Sequence, residues 1–253
     1  MLISVAQAQI FFMVFTRIMA MVLPVPVLGG QTIPTQVRIA LGIILSAILI
    51  PWTPLPAEAE ALGLFAFAGG IFRELIVGSI AGMASVLTFG AIQMTGELMG
   101  IGSGFGSGRV FNPTLGESGS AVDQFFIMVG MLLFVVMNGH HVVIQAIHKS
   151  FEIVAVNQPV PFSDPETLVR MAAQMIATGV QMALPVVGAL LLADLTLGLL
   201  ARVAPQVQVY FLGLPLKIGL GMLAVAFSFT IAIPMMQRMF QSIGPRMLEL
   251  ITR

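Results

Sequence analysis

Cysteine is absent from this chain of 253 residues, and charged side chains are scarce. Without cysteine the chain has no disulfide, no thiolate metal site and no thiol nucleophile, and its redox compartment stays undetermined. Eleven acidic residues balance eleven basic ones. Because no charge of either sign is in surplus, composition gives no indication of nucleic acid or of an anionic surface as the main partner.

Apolar residues take the place of charge: 58% of the chain is hydrophobic and only 9% is charged, whereas soluble domains carry roughly a quarter charged residues. Six runs without Asp, Glu, Lys or Arg approach the ~20 residues that a helix needs to cross the hydrocarbon. Membrane-spanning strands would alternate strictly, and these runs are continuous. The sequence therefore predicts an all-α polytopic membrane protein of about six hydrophobic helical segments. The runs are 18–37, 39–57, 75–96, 124–148, 171–193 and 218–237.

These segments predict a single helical membrane domain over residues 1–253, with a glycine-rich loop at 97–123 and a basic C-terminal tail at 238–253. The N-terminus has no basic region ahead of its apolar stretch, so we expect the first helix to stay as an uncleaved anchor. The arginines of the tail favour a cytoplasmic C-terminus under the positive-inside rule.

Helix boundaries are marked by capping residues and prolines. Ser163 or Asp164 can cap a helix that has Pro165 at its first position and Glu166 in its first turn. Pro205 is expected to end or kink that same helix.

The stretch "GELMGIGSGFGSGRVFNP" contains neither G-x-G-x-x-G nor a Walker motif, which argues against phosphate binding. Glycines at every fourth position, from Gly96 to Gly108, have the spacing that lets membrane helices approach closely. The further Gly102 and Gly106 would each cost a helix about 1 kcal/mol. We therefore expect the helix to end near Met99 and irregular backbone to follow, buried in protein or lining an aqueous cavity. A flexible surface loop is the alternative.

Three charges interrupt the apolar sequence near the last two segments: Asp194, Arg202 and Lys217. Each would cost about 2.5–3.5 kcal/mol at a helix centre in lipid. Asp194 and Arg202 share a helical face but lie about 12 Å apart, too far to pair directly. We therefore expect a neighbouring subunit or water beside them.

Two catalytic or metal-binding interpretations are weaker. His141 and His148 lie two turns apart on one helical face, too far to bind one ion together, so structural hydrogen bonds are favoured for them and for His140. "GESG" around Ser118 matches a short pattern of intramembrane serine proteases. The sequence offers this serine no oriented base, which argues against protease chemistry.

The stretch "RVAPQVQVYFLGLPLKIGLG" resembles the FliR family of flagellar biosynthesis proteins, which has an Arg-x-x-Pro-Gln step, an aromatic and then Gly-x-Pro-x-Lys. Four other stretches agree in order and cover nearly the whole chain. The loop after "GELMG" is richer in glycine than the family pattern, and Gln208 replaces a frequent Asn. The four stretches are "FTRIMAMVLPVPVLGGQTIPTQVRIALG", "RELIVGSIAGM", "GELMG" and "NGHH...SFE".

The resemblance implies a non-enzymatic channel subunit of the flagellar type III export gate, without cofactors, in the bacterial inner membrane at the flagellar basal body. It further implies a helical assembly with FliP and FliQ, which works with FlhB and FlhA to pass unfolded flagellar subunits outward. It assigns plug or gate residues to the loop: Gly100, Gly102, Gly104, Phe105, Gly106, Gly108, Arg109 and Asn112. The polar residues expected to face neighbouring subunits or the lumen are Glu97, Asp194, Arg202, Gln206 and Lys217.

Two other functions remain open at this point. An ion-coupled secondary transporter could use Asp194 to bind the coupling ion at a broken helix. The homologous subunit of a virulence injectisome would share most of the same sequence features.

Overall fold

The computed structural model describes residues 4–30, 33–52, 61–105, 120–159, 164–206 and 208–252. Within these ranges the secondary structure is helical and contains no strand, which confirms the predicted all-α class. The helices are α1 Val5–Val22, α2 Pro26–Gly29, α3 Thr35–Leu49, α4 Leu64–Gly102, α5 Ala121–Val136, α6 Gly139–Ile153, α7 Pro165–Val203 and α8 Val209–Glu249; a short 3₁₀ turn, Ile50–Trp52, follows α3.

Five described helices are long and apolar enough to cross a membrane, and α5 with α6 makes a sixth candidate if that bent pair counts as one span. The prediction of about six hydrophobic segments is therefore confirmed. The two halves of the bent pair are inclined by 69° at the break. Asn138, at the break, has a left-handed backbone with φ of 57°, and such a residue interrupts a right-handed helix.

The prediction of a first span over 18–37 is wrong, because prolines divide that run. The first long helix is α1, which ends at Val22 before Pro24 and Pro26. Helix α1 includes Arg17, which immediately precedes the apolar run 18–37. Helix α1 can contain this charged residue because the guanidinium of Arg17 is fully buried against protein partners.

Helix α7 begins and ends as the sequence predicts. The Asp164 Oδ1 accepts a hydrogen bond from the Glu166 N–H at 3.2 Å, and Pro165 is the first helical residue. The helix ends at Val203, before Pro205. Most of the segment 238–253, described above as a basic tail, is helical, because α8 continues to Glu249.

The contacts divide the chain into two compact units. The first contains residues 1–88, 134–172 and 240–253, and the second contains 89–133 and 173–239. In the first unit α1 packs against α3 and α6, and α4 approaches α1 closely because a Cβ on Gly78 would lie 2.6 Å from that of Ala20. In the second unit the ring of Phe229 in α8 stacks on Phe126 of α5 at 5.1 Å. The interpretation of residues 1–253 as one domain stays a prediction.

Candidate functional site

A fully buried ion pair joins two helices of the first unit. The Arg17 Nε of α1 donates to the Glu74 Oε2 of α4 at 2.5 Å, with side-chain exposures of 0% and 1%. Transferring two such charges out of water is expensive unless further hydrogen bonds satisfy the remaining polar atoms. The surroundings of the pair provide those bonds.

Arg17 binds the C-terminal end of α6. Its Nη1 donates to the carbonyls of Ser150 at 3.1 Å and Val154 at 2.6 Å, and its Nη2 donates to that of Ala155 at 3.4 Å. The guanidinium carbon lies 4.4 Å from the ring centroid of Phe151, which is within cation–π range. The last carbonyls of a helix have no partner within the helix, and a cation at this end also suits the helix dipole. Arg17 therefore caps α6.

Glu74 extends the same network to the chain that leaves α6. Its Oε1 accepts the backbone N–H of Asn157 at 2.7 Å. The neighbouring Arg73 donates to the Asn157 carbonyl at 3.3 Å. Asn157 has a left-handed backbone with φ of 65°. We call Arg17, Glu74 and the groups that they bind, from Ser150 to Asn157, the α6 clamp.

Sequence reasoning missed the α6 clamp, although a signal for it was present. Arg17 lies in "FTRIMAM", Glu74 in "RELIVG" and Phe151 in "SFE", which are three of the stretches that carry the family resemblance. A charge among apolar residues requires a partner within the protein. The same rule that predicts partners for Asp194, Arg202 and Lys217 applies to Arg17.

The second unit holds the two ends of the predicted glycine-rich loop together. A Cβ on Gly96 would lie 2.6 Å from the Asp123 Cα, and one on Gly100 would overlap the Ser120 hydroxyl. The end of α4 therefore lies directly against the start of α5 at positions without side chains. We call this contact of Gly96 and Gly100 with Ser120 and Asp123 the glycine junction.

Helix α4 continues to Gly102, beyond the end predicted near Met99. The Ser103 hydroxyl donates to the Met99 carbonyl at 2.8 Å, and Gly104 takes a positive φ of 81° that suits glycine. The glycines also allow close packing, since a Cβ on Gly221 of α8 would lie 2.7 Å from that of Ser103. This packing offsets the cost of glycine in a helix, from which the end of α4 near Met99 was predicted.

The described part of the predicted plug is the root of the loop. Gly102 lies beside Leu190 of α7, because a Cβ on it would be 3.2 Å from the Leu190 Cδ1. Gly104 has the same relation to Leu214 of α8, and Phe105 is half-buried. Four other predicted plug residues, and Ser118, lie outside the described residues; the four are Gly106, Gly108, Arg109 and Asn112.

Asp194 and Lys217 form an ion pair between α7 and α8 in the second unit. Their side chains remain 46% and 25% exposed, so the pair is accessible in the isolated chain. Helical spacing indicates only that Arg202, on the same helix, is too far from Asp194 to pair with it, whereas its partner, Lys217, lies on the next helix. Three further predicted polar residues are exposed and lie outside this pair: Glu97, Arg202 and Gln206.

The histidines lie along α6. The ring centroids of His140 and His141 are 4.3 Å apart at the start of the helix. The His148 Nε2 lies 3.6 Å from the Glu152 Oε1. Among the residues that the structure describes, no three His, Cys, Asp or Glu side chains group in a way that could hold a metal ion.

Comparison with known proteins yields one family and several curated relatives. A family model described as bacterial export proteins, family 1, matches residues 8–243. A flagellar biosynthetic protein FliR of Pectobacterium carotovorum is 28% identical over 96% of this chain and 93% of the relative. Proteins of the same description from Caulobacter vibrioides and Bacillus subtilis are 31% and 28% identical, over 88% and 91% of this chain and 89% and 90% of the relatives.

Proposed function

The chain belongs to the FliR family of flagellar biosynthetic proteins, and from this membership we propose that it is a non-enzymatic channel subunit of the flagellar type III export apparatus. Its place is the bacterial inner membrane, in the flagellar basal body. Its partners are FliP and FliQ in a helical gate complex, together with FlhB and FlhA, and its cargo is unfolded flagellar protein.

The structural observation that supports a plug within this function is the glycine junction. Because Gly100 lies against Ser120, the chain between them leaves and returns at one place on a rigid base. A loop with a fixed base can occupy a pore without the helices around it having to move. The root of the loop also packs against Leu190 of α7 and Gly221 of α8, through Gly102 and Ser103. This arrangement supports a role of the residues from Gly100 to Asn112 as a plug.

The polar residues of the second unit support an assembled setting. Glu97, Arg202 and Gln206 are exposed on or beside helices long enough to cross a membrane. Polar and ionisable side chains in such segments generally face a bundle interior, a partner or an aqueous cavity. Neighbouring subunits and a wet lumen would provide these surroundings.

Ion-coupled transport has less support. A coupling carboxylate must be available to its cation, whereas Asp194 is already joined to the ammonium group of Lys217. The curated relatives reported above are flagellar, which supports the flagellar system over an injectisome.

Deleting Gly102 to Gly108 tests the plug. We expect the variant to copurify with FliP and FliQ as wild type does, while cells that contain it become leaky to small solutes such as sodium ions. Gly188→Ala is the matched control in the same unit, because a Cβ there meets no atom within 4 Å. An unchanged leak together with normal export by the deletion variant would overturn the plug role.

A further inference from the structure

Helix α6 carries a polar face along its whole length. At about 100° per residue, five of its positions fall within an arc of roughly 100°. All five carry polar side chains, and none is buried. We call this face the α6 stripe, and it consists of His141, Gln145, His148, Lys149 and Glu152.

The opposite face of α6 is apolar and is buried inside the first unit. Val143, Ile147 and Phe151 are fully buried. Val142, at the edge of that face, lies against α8, because a Cβ on Gly244 would be 2.9 Å from its Cγ1. The α6 clamp holds the C-terminal end of the helix through Arg17. The rotation of α6 is therefore fixed, and the α6 stripe points away from the unit.

Other exposed faces of the same unit have the opposite character. Phe12 of α1, Ile44 of α3 and Phe72 of α4 are each more than half exposed. Such side chains suit hydrocarbon or an apolar partner surface, whereas lysine and glutamate are costly in both. The first unit therefore presents apolar surfaces on three helices and a polar surface on α6.

We propose that the α6 stripe faces water in the assembled protein, so that α6 is not the lipid-embedded half of a sixth span. A helix that lies in the membrane interface turns its apolar face into the bilayer. The apolar face of α6 is covered by protein instead, which leaves an aqueous surface as the surroundings of the stripe. This inference is independent of the proposed export function.

The natural absence of cysteine allows a direct test in the full chain. Glu152→Cys and Gln145→Cys place a thiol on the α6 stripe, and Ile44→Cys is the matched control because Ile44 and Glu152 are both more than half exposed. Each variant is treated with a membrane-impermeant maleimide in open native membranes, so that reagent reaches both faces. Labelling after denaturation in SDS gives the total thiol.

We expect both stripe variants to react at least about tenfold faster than Ile44→Cys in the membrane, and all three to react alike in SDS. Gln145→Cys keeps the contact between His148 and Glu152, so it reports on the stripe even if Glu152→Cys fails to accumulate. Equal rates for Gln145→Cys and Ile44→Cys in native membranes, whether fast or slow, would overturn the proposal. Ion-coupled or export activity does not enter the measurement.

Discussion

The two compact units both hold a chain segment at a helix end, but they do so by opposite means. In the first unit the α6 clamp uses buried charge: Arg17 and Glu74 bind the carbonyls and the N–H of the segment that leaves α6. In the second unit the glycine junction uses missing side chains, since Gly96 and Gly100 let α4 and α5 touch. The segment after α6 is therefore fixed by hydrogen bonds and an ion pair, whereas the start of α5 is fixed by close packing against α4.

The difference has energetic consequences. A buried charge whose partner is removed stays uncompensated, so the α6 clamp should fail as a unit when one member is lost. A glycine contact fails only by steric conflict, and packed structure can yield partly around one added methyl group. The α6 clamp should therefore be the more sensitive of the two regions.

Removing one charge from the α6 clamp should have the largest effect. Glu74→Ala leaves Arg17 buried without its counter-ion and the Asn157 N–H without an acceptor, so we expect a loss of about 3–5 kcal/mol in unfolding free energy. Denaturant unfolding of the purified protein in detergent measures this loss. Glu74→Gln, which keeps an acceptor oxygen, should lose less.

The same unit provides a matched control for that experiment. Arg170 and Glu249 form an exposed pair of the same chemistry at 3.2 Å, with side chains 56% and 51% exposed. Glu249→Ala should cost no more than about 1 kcal/mol, because exposed ion pairs contribute little. Comparable losses for Glu74→Ala and Glu249→Ala would show that the burial of the clamp adds nothing.

A methyl group at the glycine junction should have the next largest effect. Gly100→Ala introduces an atom that overlaps the Ser120 hydroxyl, and overpacking of this kind typically costs about 1–3 kcal/mol. Gly188→Ala should instead be neutral or stabilising by up to about 1 kcal/mol, because alanine favours helices and the site is open. Unfolding in the same detergent measures both, and the same sign for the two variants would contradict the packing argument.

Sequence reasoning could predict what depends on neighbours along the chain. The helical class, the start of α7 at Pro165 and its end before Pro205 follow from local patterns. The fourfold spacing of Gly96 and Gly100 is one that permits close helix packing, although irregular backbone after Met99 was the favoured prediction, and these two glycines do meet Asp123 and Ser120. Helix α4 continues to Gly102, past the end predicted near Met99. The prediction counted only the local helix penalty of glycine, which tertiary packing offsets.

Pairs of charges on different helices were not predictable in the same way. Arg17 and Glu74 are 57 residues apart, and Asp194 meets Lys217 on the following helix. Helical periodicity tells which residues share a face of one helix, but it does not tell which face of another helix will lie opposite. Such pairs are fixed only when the helices are packed.

A backbone change at Asn157 should sharpen the account of the α6 clamp. Alanine at a left-handed position costs roughly 1–2 kcal/mol, whereas glycine adopts it readily. We therefore expect Asn157→Ala to lose about this amount and Asn157→Gly to lose less, since both keep the N–H that binds Glu74. Equal losses would mean that the Asn157 side chain, and not its backbone conformation, carries the contribution.

The half-exposed pair of the second unit should give the smallest effect and so completes the comparison. We expect a double-mutant cycle of Asp194→Asn and Lys217→Gln, measured as unfolding free energy of the isolated chain in detergent, to give a coupling energy of about 0.2–1 kcal/mol, because solvent screens the pair.

The same cycle on the complex with FliP and FliQ, measured as the stability of the complex, reports what covers the pair after assembly. A dry partner surface should raise the coupling above its value in the isolated chain, and a wet lumen should leave it unchanged. A coupling energy of 3 kcal/mol or more in the isolated chain, on the order of a buried pair, would remove the contrast between the two units.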